Sequence, residues 1–364
     1  MLNQVARKAV VYGMAVTMLA GCSKGSDSFS LLNNSDDYEQ QAVIIPQKVS
    51  KKIDILWVID NSGSMETSQN QLASNFQSFI QKFQSQDHDF HMAVTTTEAW
   101  EKQFNSNSSS AKIKDGAILQ TTPRIETHSG VYVMDQNTAN LDSVFSINVK
   151  QGLLGNGDER AFESFKQTLL EGWNSAFRRP EAFLAIIIVS DEEDFSASTA
   201  GHNESYSNPN LYSVQSYVDF LDSFTQASIY GKNYSVNSIF VPDAACKTAL
   251  STDGFQRKIS TRLPELSDLT GGVKGSLCSN FGETLEFISD TLIETIELAS
   301  TFKLNREPQE DTIVVRVNGV VVAKDSVNGW SYNSSDWTIT FHGSSVPADN
   351  ADIKISYYPK SIKL

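Results

Sequence analysis

The chain has 364 residues, of which 40% are hydrophobic and 10% are aromatic, so it can bury a sizeable core and has room for about two domains. Its formal net charge is −14, which argues against nucleic acid as a partner because phosphate backbones bind basic surfaces. The composition favours a globular protein with an acidic, solvated surface.

Residues 1–21 have the pattern of a secretory signal. Two basic residues precede an apolar stretch, residues 9–18, that is too short to span a bilayer. The stretch runs into Leu-Ala-Gly-Cys22, which resembles the lipobox of bacterial lipoproteins, where the cysteine is acylated after cleavage. The resemblance implies lipidation of Cys22 and attachment to a membrane through acyl chains. Ser23, by the same resemblance, implies the outer membrane, with its face left open.

The segment after the signal, residues 22–50, is predicted to be a flexible tether. Residues 23–41 are rich in Ser, Asn and Asp and lack the apolar side chains that a core requires. Residues 42–46 are a candidate edge strand, since their proline cannot donate to an inner hydrogen-bond ladder.

Three cysteines occur in the chain. If Cys22 carries lipid, Cys246 and Cys278 remain as the only pair in an oxidising compartment, and we expect them to form a disulfide. The alternative is two buried free thiols.

The first predicted strand is followed at once by oxygen-bearing side chains. The apolar run 55–59 predicts a strand buried on both faces of a parallel sheet, and Asp60, Ser62 and Ser64 follow it at alternate positions. Open parallel sheets bind ligands at the carboxyl ends of their strands. A carboxylate and two hydroxyls are hard oxygen donors, the kind that Mg²⁺ and Mn²⁺ prefer, so this loop predicts a divalent cation site.

Strands and helices alternate over residues 51–301, which predicts a doubly wound α/β domain with a mostly parallel sheet flanked by helices. The least regular part is 96–155, where 124–127 and 131–134 are short strand candidates and 141–145 is expected to begin a small helix. Periodicity predicts strands at 54–59, 88–95, 184–189 and 235–241, and helices at 68–83, 159–176, 213–223, 265–270 and 281–300.

Two loops of this pattern carry a family resemblance. The loop after the first strand reads Asp-Asn-Ser-Gly-Ser, and Asp191 directly follows the apolar strand 184–189 and one serine. On these motifs residues 51–301 resemble a von Willebrand factor type A domain with a metal-ion-dependent adhesion site. The resemblance implies a divalent cation, Mg²⁺ foremost with Mn²⁺ or Ca²⁺ as alternatives. Its ligands would be Asp60, Ser62, Ser64 and Asp191.

The middle loop departs from the family pattern, in which a threonine precedes a helix. Asp158 falls nearest to the threonine position by its offset from the predicted helix. As a ligand it would bring the site to three carboxylates and improve its tolerance of Ca²⁺. Alternatively, Asp158 caps the helix with Glu159 in the first turn. Glu192, Glu193 and Asp194 are expected to be solvated residues at the rim, with contact of one of them to the metal through a water molecule as the alternative.

A cation held by two hydroxyls and few carboxylates keeps positive charge and a water-filled position that a ligand carboxylate can fill. In the family this implies adhesion, with an acidic side chain of a protein partner completing the metal's shell. We therefore expect a lipid-anchored adhesion or partner-recognition protein that is not an enzyme. Two alternatives stay open: an envelope scaffold or assembly lipoprotein with a structural metal, and a metal-dependent phosphatase-like hydrolase. The second is disfavoured because Asn61 stands where haloacid-dehalogenase-like phosphatases carry a second aspartate.

Beyond residue 301 short predicted strands alternate with turns. Valine-rich runs flank Asn318-Gly319, a strong hairpin signal, and further strands are predicted at 331–333, 337–341 and 353–357. Residues 302–364 are therefore expected to form a small, all-β, sandwich-like module. Its aromatic side chains are expected to pack inside, with a carbohydrate-binding face as the alternative.

Overall fold

The computed structural model describes residues 39–43, 52–85, 88–119, 123–155, 157–180, 182–225, 232–298, 301–347 and 351–360. Within these ranges a mainly parallel six-stranded sheet is flanked by helices, and smaller antiparallel sheets accompany it. The strands are β1 (Glu39–Val43), β2 (Lys52–Ile59), β3 (Asp89–Thr96), β4 (Gly116–Leu119), β5 (Ile125–His128), β6 (Met134–Asp135), β7 (Phe183–Val189), β8 (Tyr234–Phe240), β9 (Lys274–Ser276), β10 (Thr301–Lys303), β11 (Val314–Val317), β12 (Val320–Val322), β13 (Trp330–Asn333), β14 (Thr338–Phe341) and β15 (Ile353–Tyr357). The helices are α1 (Glu66–Ser74), α2 (Phe76–Ser85), α3 (Leu141–Val149), α4 (Ala161–Leu170), α5 (Val214–Phe224), α6 (Ala244–Leu250), α7 (Arg262–Thr270) and α8 (Phe281–Leu298).

The large sheet has the strand order β6–β3–β2–β7–β8–β9, and every neighbouring pair is parallel except β3 with β6. Every residue of β7 is buried, as expected for a strand covered by helices on both faces. β2 and β7 are neighbours in the sheet although they are far apart in the chain, so the winding reverses between them. Such a reversal opens a crevice at the carboxyl ends of the two strands, where doubly wound proteins bind ligands.

A hydrophobic core covers each face of this sheet. On one face, side chains of α1, α2, α3 and α8 surround Trp57, whose ring meets Phe79 and Phe145 edge-on at centroid distances of 5.1 and 5.3 Å. On the other face, α4, α5 and α7 supply the core, where the ring centroids of Phe162 and Tyr217 are 5.2 Å apart. The sheet is therefore fixed from both sides, and the loops at its carboxyl edge are held by a rigid support.

Two predicted helices have different bounds in the structure. The helix predicted at 68–83 is two helices, because the Asn75 side chain donates to the Gln71 carbonyl at 2.8 Å and competes with the backbone for that acceptor. The helix predicted at 159–176 occupies only α4, so the prediction that Glu159 lies in its first turn is wrong. The strands β4, β9 and β10 and the helix α6 were not predicted.

Cys246 in α6 and Cys278, just before α8, are joined in a disulfide with a Cα–Cα distance of 5.6 Å. The two cysteines are 32 residues apart, and in the chain-entropy model closing such a loop stabilises the fold by roughly 3 kcal/mol. The bond connects α6 to the segment between β9 and α8, at the carboxyl edge of the large sheet. It therefore also holds the start of the loop that follows α6.

The C-terminal strands, together with β1, form two antiparallel sheets, ordered β1–β15–β11–β12 and β10–β14–β13, and the C-terminal strands surround one hydrophobic core. The predicted hairpin is confirmed: β11 pairs with β12, and Asn318 and Gly319 adopt positive φ angles of 50° and 82° between them. Trp330, Phe341 and Tyr357 are buried in this core, as expected, whereas the aromatic side chain of Tyr358 is exposed.

The strand β1 lies before the large sheet in the chain yet pairs antiparallel with β15, in a register that sets Glu39 opposite Tyr357. It lies at the edge of its sheet. The edge strand predicted at 42–46 therefore begins earlier than expected, and its proline lies outside the described residues. The predicted signal at 1–21, the lipidation site Cys22 and most of the tether also lie outside them. In the ranges given above, no helix combines the length and the apolarity needed to cross a membrane.

Candidate functional site

Four of the five predicted metal ligands meet at the reversal point of the large sheet. Asp60, Ser62 and Ser64 follow β2, and Asp191 follows β7. The Ser64 hydroxyl donates to Asp191 Oδ1 at 2.9 Å, and the hydroxyl oxygens of Ser62 and Ser64 are 3.1 Å apart. The Ser62 amide donates to Asp60 Oδ1 at 2.8 Å. Two loops that are far apart in sequence therefore present their oxygen atoms to one small volume.

Asp60 is fully buried. Its Oδ2 accepts a hydrogen bond of 2.7 Å from the hydroxyl of Ser190, a residue that the sequence analysis did not single out. Burial, together with the nearby charge of Asp191, raises the pKa of Asp60 to about 7. Within the described residues Asp60 has no ion-pair partner, so its negative charge is compensated by hydrogen bonds alone. A buried carboxylate stays charged only when it is paired or bound to a metal, and otherwise it takes up a proton.

Asp191 has a cationic partner, Arg257, which sequence reasoning missed. The Arg257 Nε donates to Asp191 Oδ2 at 2.7 Å, and the two side chains are only 3% and 2% exposed. The same guanidinium donates to the Ser64 carbonyl and to both oxygens of Asp253. Burial still raises the pKa of Asp191, although Arg257 acts to lower it. Arg257 lies in a loop without a recognisable motif, so no signal in the sequence pointed to it.

Asp158, the fifth predicted ligand, forms an ion pair with Arg160. The Nε and Nη2 atoms of Arg160 donate to its two oxygens at 2.9 and 2.8 Å. Arg160 is 1% exposed and lies over the Trp100 ring, 4.1 Å from its centroid. The guanidinium thus neutralises the carboxylate that was expected either to bind metal or to cap the helix.

The caps of α4 come from the loop after β7. Asp194 Oδ1 and the Ser196 hydroxyl accept hydrogen bonds of 2.9 Å from the amides of Phe162 and Glu163. The alternative that Asp158 caps this helix is therefore wrong. Asp194 and Glu193 are also buried rather than solvated, since Glu193 accepts from backbone amides at the start of α7. These two acids hold loops together, and of the three residues expected at the rim only Glu192 is partly exposed.

Glu159 was not predicted as a site residue, yet its carboxylate is buried among the site's acids. The residue is 4% exposed, and neither carboxylate oxygen has a hydrogen-bond partner within the described residues. Burial and the charges of Asp60, Glu98 and Glu192 raise its pKa well above the usual value. The Thr97 hydroxyl is close enough to lower that pKa but forms no hydrogen bond with it.

The site as a whole is rich in negative charge. Burial and the charges of Asp191 and Asp60 raise the pKa of Glu192 to about 8, while Lys258 and Arg257 lower it. In the part of the chain that the structure describes, no group of three or more His, Cys, Asp and Glu side chains has the arrangement of a metal site. The set at the sheet reversal instead mixes two carboxylates with two hydroxyls. An uncompensated Asp60 and an unpartnered Glu159 carboxylate fit a hard divalent cation, which takes only oxygen ligands.

Comparison with known proteins gives limited similarity. No family model and no curated protein matches the chain. Solved structures similar to it include the open conformation of the pilus adhesin SpaC from Lactobacillus rhamnosus GG, at 11% identity and a TM-score of 0.37 over 85% of this chain and 38% of that one. Another is the pilus adhesin RrgA from Streptococcus pneumoniae, at 10% identity and a TM-score of 0.31 over 90% of this chain and 60% of that one. A third is proximal thread matrix protein 1 from the mussel byssus, at 11% identity and a TM-score of 0.33 over 71% of this chain and 51% of that one.

The chain thus spans between 38% and 60% of the length of these three structures, two of which are bacterial pilus adhesins. TM-scores below 0.5 do not establish a shared fold. The function proposed below therefore rests on the residues of this chain.

Proposed function

We propose that residues 51–301 form a von Willebrand factor type A domain whose divalent cation binds an acidic side chain of a protein partner. The observation that carries the proposal is the meeting of Asp60, Ser62, Ser64 and Asp191 at the sheet reversal. The strand order, in which two far-separated strands lie side by side, supports the same fold. Mg²⁺ is the first candidate for the cation, with Mn²⁺ and Ca²⁺ as alternatives.

The residues of the chain have separate tasks in this proposal. The carboxylates of Asp60 and Asp191 and the hydroxyls of Ser62 and Ser64 would hold the cation. The Ser62 amide and the Ser190 hydroxyl orient Asp60, each through one of its oxygens. When bound, the cation supplies the positive charge that a partner's carboxylate requires, which fits adhesion rather than catalysis.

Replacing Asp60 by alanine is expected to abolish binding of Mg²⁺, because it removes a buried carboxylate that no cationic side chain neutralises. Titration calorimetry measures this directly. Asp290→Ala is a matched control, since it removes an exposed carboxylate of α8 that pairs with Lys82 away from the site. Equal Mg²⁺ affinity for wild type and Asp60→Ala would contradict a metal site at this loop.

Partner binding is tested by affinity capture from envelope extracts, performed with Mg²⁺ and with EDTA. A partner that is held by wild type with Mg²⁺ and lost both with EDTA and with Asp60→Ala supports adhesion through the metal. Capture that survives EDTA favours the alternative of an envelope scaffold with a structural metal. Turnover of phosphate monoesters that is lost in Asp60→Ala would favour the hydrolase alternative.

We further propose that the chain is anchored to the outer membrane through acyl groups on Cys22. The expected result is that a Cys22→Ala variant no longer fractionates with membranes, because the remaining sequence offers only an apolar stretch that is too short to span them. Cell fractionation followed by immunoblotting measures the distribution. Cys22→Ala protein that stays with the membrane fraction would refute the anchor.

A further inference from the structure

We propose that the open edge of β9 is a second binding site, which takes up an extended, basic segment of a protein partner as an added strand. This site is distinct from the proposed cation site, because β9 is the last strand of the large sheet and β8 separates it from β7. In strand addition, main-chain hydrogen bonds give affinity and adjacent pockets select the side chains of the added segment.

The backbone of β9 directs hydrogen-bonding groups away from the sheet. Among the described residues β9 pairs only with β8. Backbone hydrogen bonds of 3.0 and 2.9 Å join β8 to the residues that flank β9, Val273 and Leu277. The direction of the backbone groups alternates along a strand, so Lys274 and Ser276 point away from β8. The Ser276 carbonyl accepts from the Ser279 amide at 3.1 Å, which leaves both backbone groups of Lys274 and the Ser276 amide for an added strand.

A groove of about 480 Å³ lies at this edge. All three residues of β9 line it, together with residues of α7 and α8. Its apolar lining includes the buried side chains of Phe240 and Val273, and Phe287 of α8 borders it. Phe287 is 62% exposed, more than any other aromatic side chain in the described part of the chain. The edge therefore combines backbone groups with an apolar surface that an added strand would cover.

The charges at the groove favour a basic occupant. Lys274 is the only cationic side chain among the described residues that line it, and it pairs with the exposed Asp268 of α7. Glu283 is exposed and lies one helical turn before Phe287, on the same side of α8. A second copy of the chain, with a net charge of −14, and residues 23–38, with three aspartates and one lysine, are disfavoured by repulsion. A basic segment is attracted.

The test is binding of a fluorescent peptide, acetyl-Lys-Val-Lys-Val-Lys-amide, to the full chain, measured by fluorescence anisotropy. Wild type is expected to bind it. The control peptide acetyl-Lys-Pro-Lys-Pro-Lys-amide carries the same charge but has fewer amide donors and a backbone that fits a ladder poorly, so it should bind about tenfold more weakly. Equal affinity for the two peptides would mean unspecific attraction to an acidic chain and would overturn the proposal.

Variants of β9 and α8 locate the peptide. Lys274→Pro removes an outward amide and leaves the hydrogen bonds to β8 in place, so it should weaken binding about tenfold. Lys274→Ala is the matched control, because it loses the same charge but keeps the amide, and it should bind at least as tightly as wild type. Phe287→Ser changes an exposed residue and should also weaken binding, so it decides the matter if Lys274→Pro does not fold. Wild-type affinity in Phe287→Ser would contradict the site.

Two further measurements separate this site from other occupants and from the cation site. Analytical ultracentrifugation that finds a dimer for wild type and a monomer for Lys274→Pro would assign the edge to a second copy, and the proposal would fall. Peptide binding that is lost in Asp60→Ala would place the peptide at the cation site instead. Equal binding to wild type in Mg²⁺, to wild type in EDTA and to Asp60→Ala supports a separate site, whether or not the cation site binds metal.

Discussion

An Arg257→Met variant is expected to lose about 3 kcal/mol of unfolding free energy in the absence of metal and to regain most of it with a saturating divalent cation. The Arg257–Asp191 pair is almost completely buried, so removal of the guanidinium leaves Asp191 charged and desolvated. The same change frees Asp191 Oδ2 for a cation and removes a repelling positive charge. Metal should therefore stabilise the variant more than it stabilises wild type.

Urea denaturation with CaCl₂ and with EDTA measures both quantities in one experiment. Methionine keeps the length of the apolar stem, so packing is disturbed as little as the chemistry allows. An equal loss of stability in the two conditions would mean that Arg257 merely holds its loop and does not compete with a cation for Asp191.

Asp54→Ala is expected to lower the free energy of unfolding by about 4 kcal/mol relative to wild type, by the same amount with metal and without it. Asp54 is fully buried near the amino end of β2 and accepts from Arg178 Nη1 at 2.9 Å, from Arg179 Nε at 2.8 Å and from the Arg179 amide at 2.6 Å. Its removal leaves Arg178 without a carboxylate partner among the described residues, while Arg179 keeps its ion pair with Asp89. Asp60 lies six residues further along the strand, about 20 Å away, so cation affinity should be unchanged.

The comparison of Asp54→Ala with Arg257→Met is informative because both variants break a buried ion pair. Urea denaturation and Ca²⁺ titration of the two proteins should show similar losses of stability in EDTA, but metal should stabilise Arg257→Met more than wild type and Asp54→Ala only as much as wild type. A larger stabilisation of Asp54→Ala than of wild type by metal would contradict a cation site confined to the carboxyl edge of the sheet.

The parts of the site that could be predicted are those that depend on a local sequence pattern. The apolar runs of β2 and β7 identify buried parallel strands, and the polar residues that follow each run mark the sheet edge where ligands bind. Asp60, Ser62, Ser64 and Asp191 could therefore be brought together from the sequence. Their hydrogen bonds depend on the strand order, which places β2 beside β7.

Other parts depend on contacts between distant segments. The helix at α4 was predicted to include Glu159, because acidic residues favour the first turn of a helix. The helix begins only at Ala161, because Asp194 and Ser196 cap its first turn from a loop more than thirty residues away. No local pattern reveals such a cap, nor the pairing of Arg257 with Asp191 across 66 residues.

The pairing of β1 with β15 has a mechanical meaning if the chain is anchored at Cys22 and held by a partner at the cation site. Tension between those two points would run along the covalent chain through β1 and into β2. It would pull β1 lengthwise against β15, so that the five register pairs from Glu39–Tyr357 to Val43–Ile353 would bear the load in shear and share it. The C-terminal sheets would then act as a clamp on the segment that joins the anchor to the domain with the cation site.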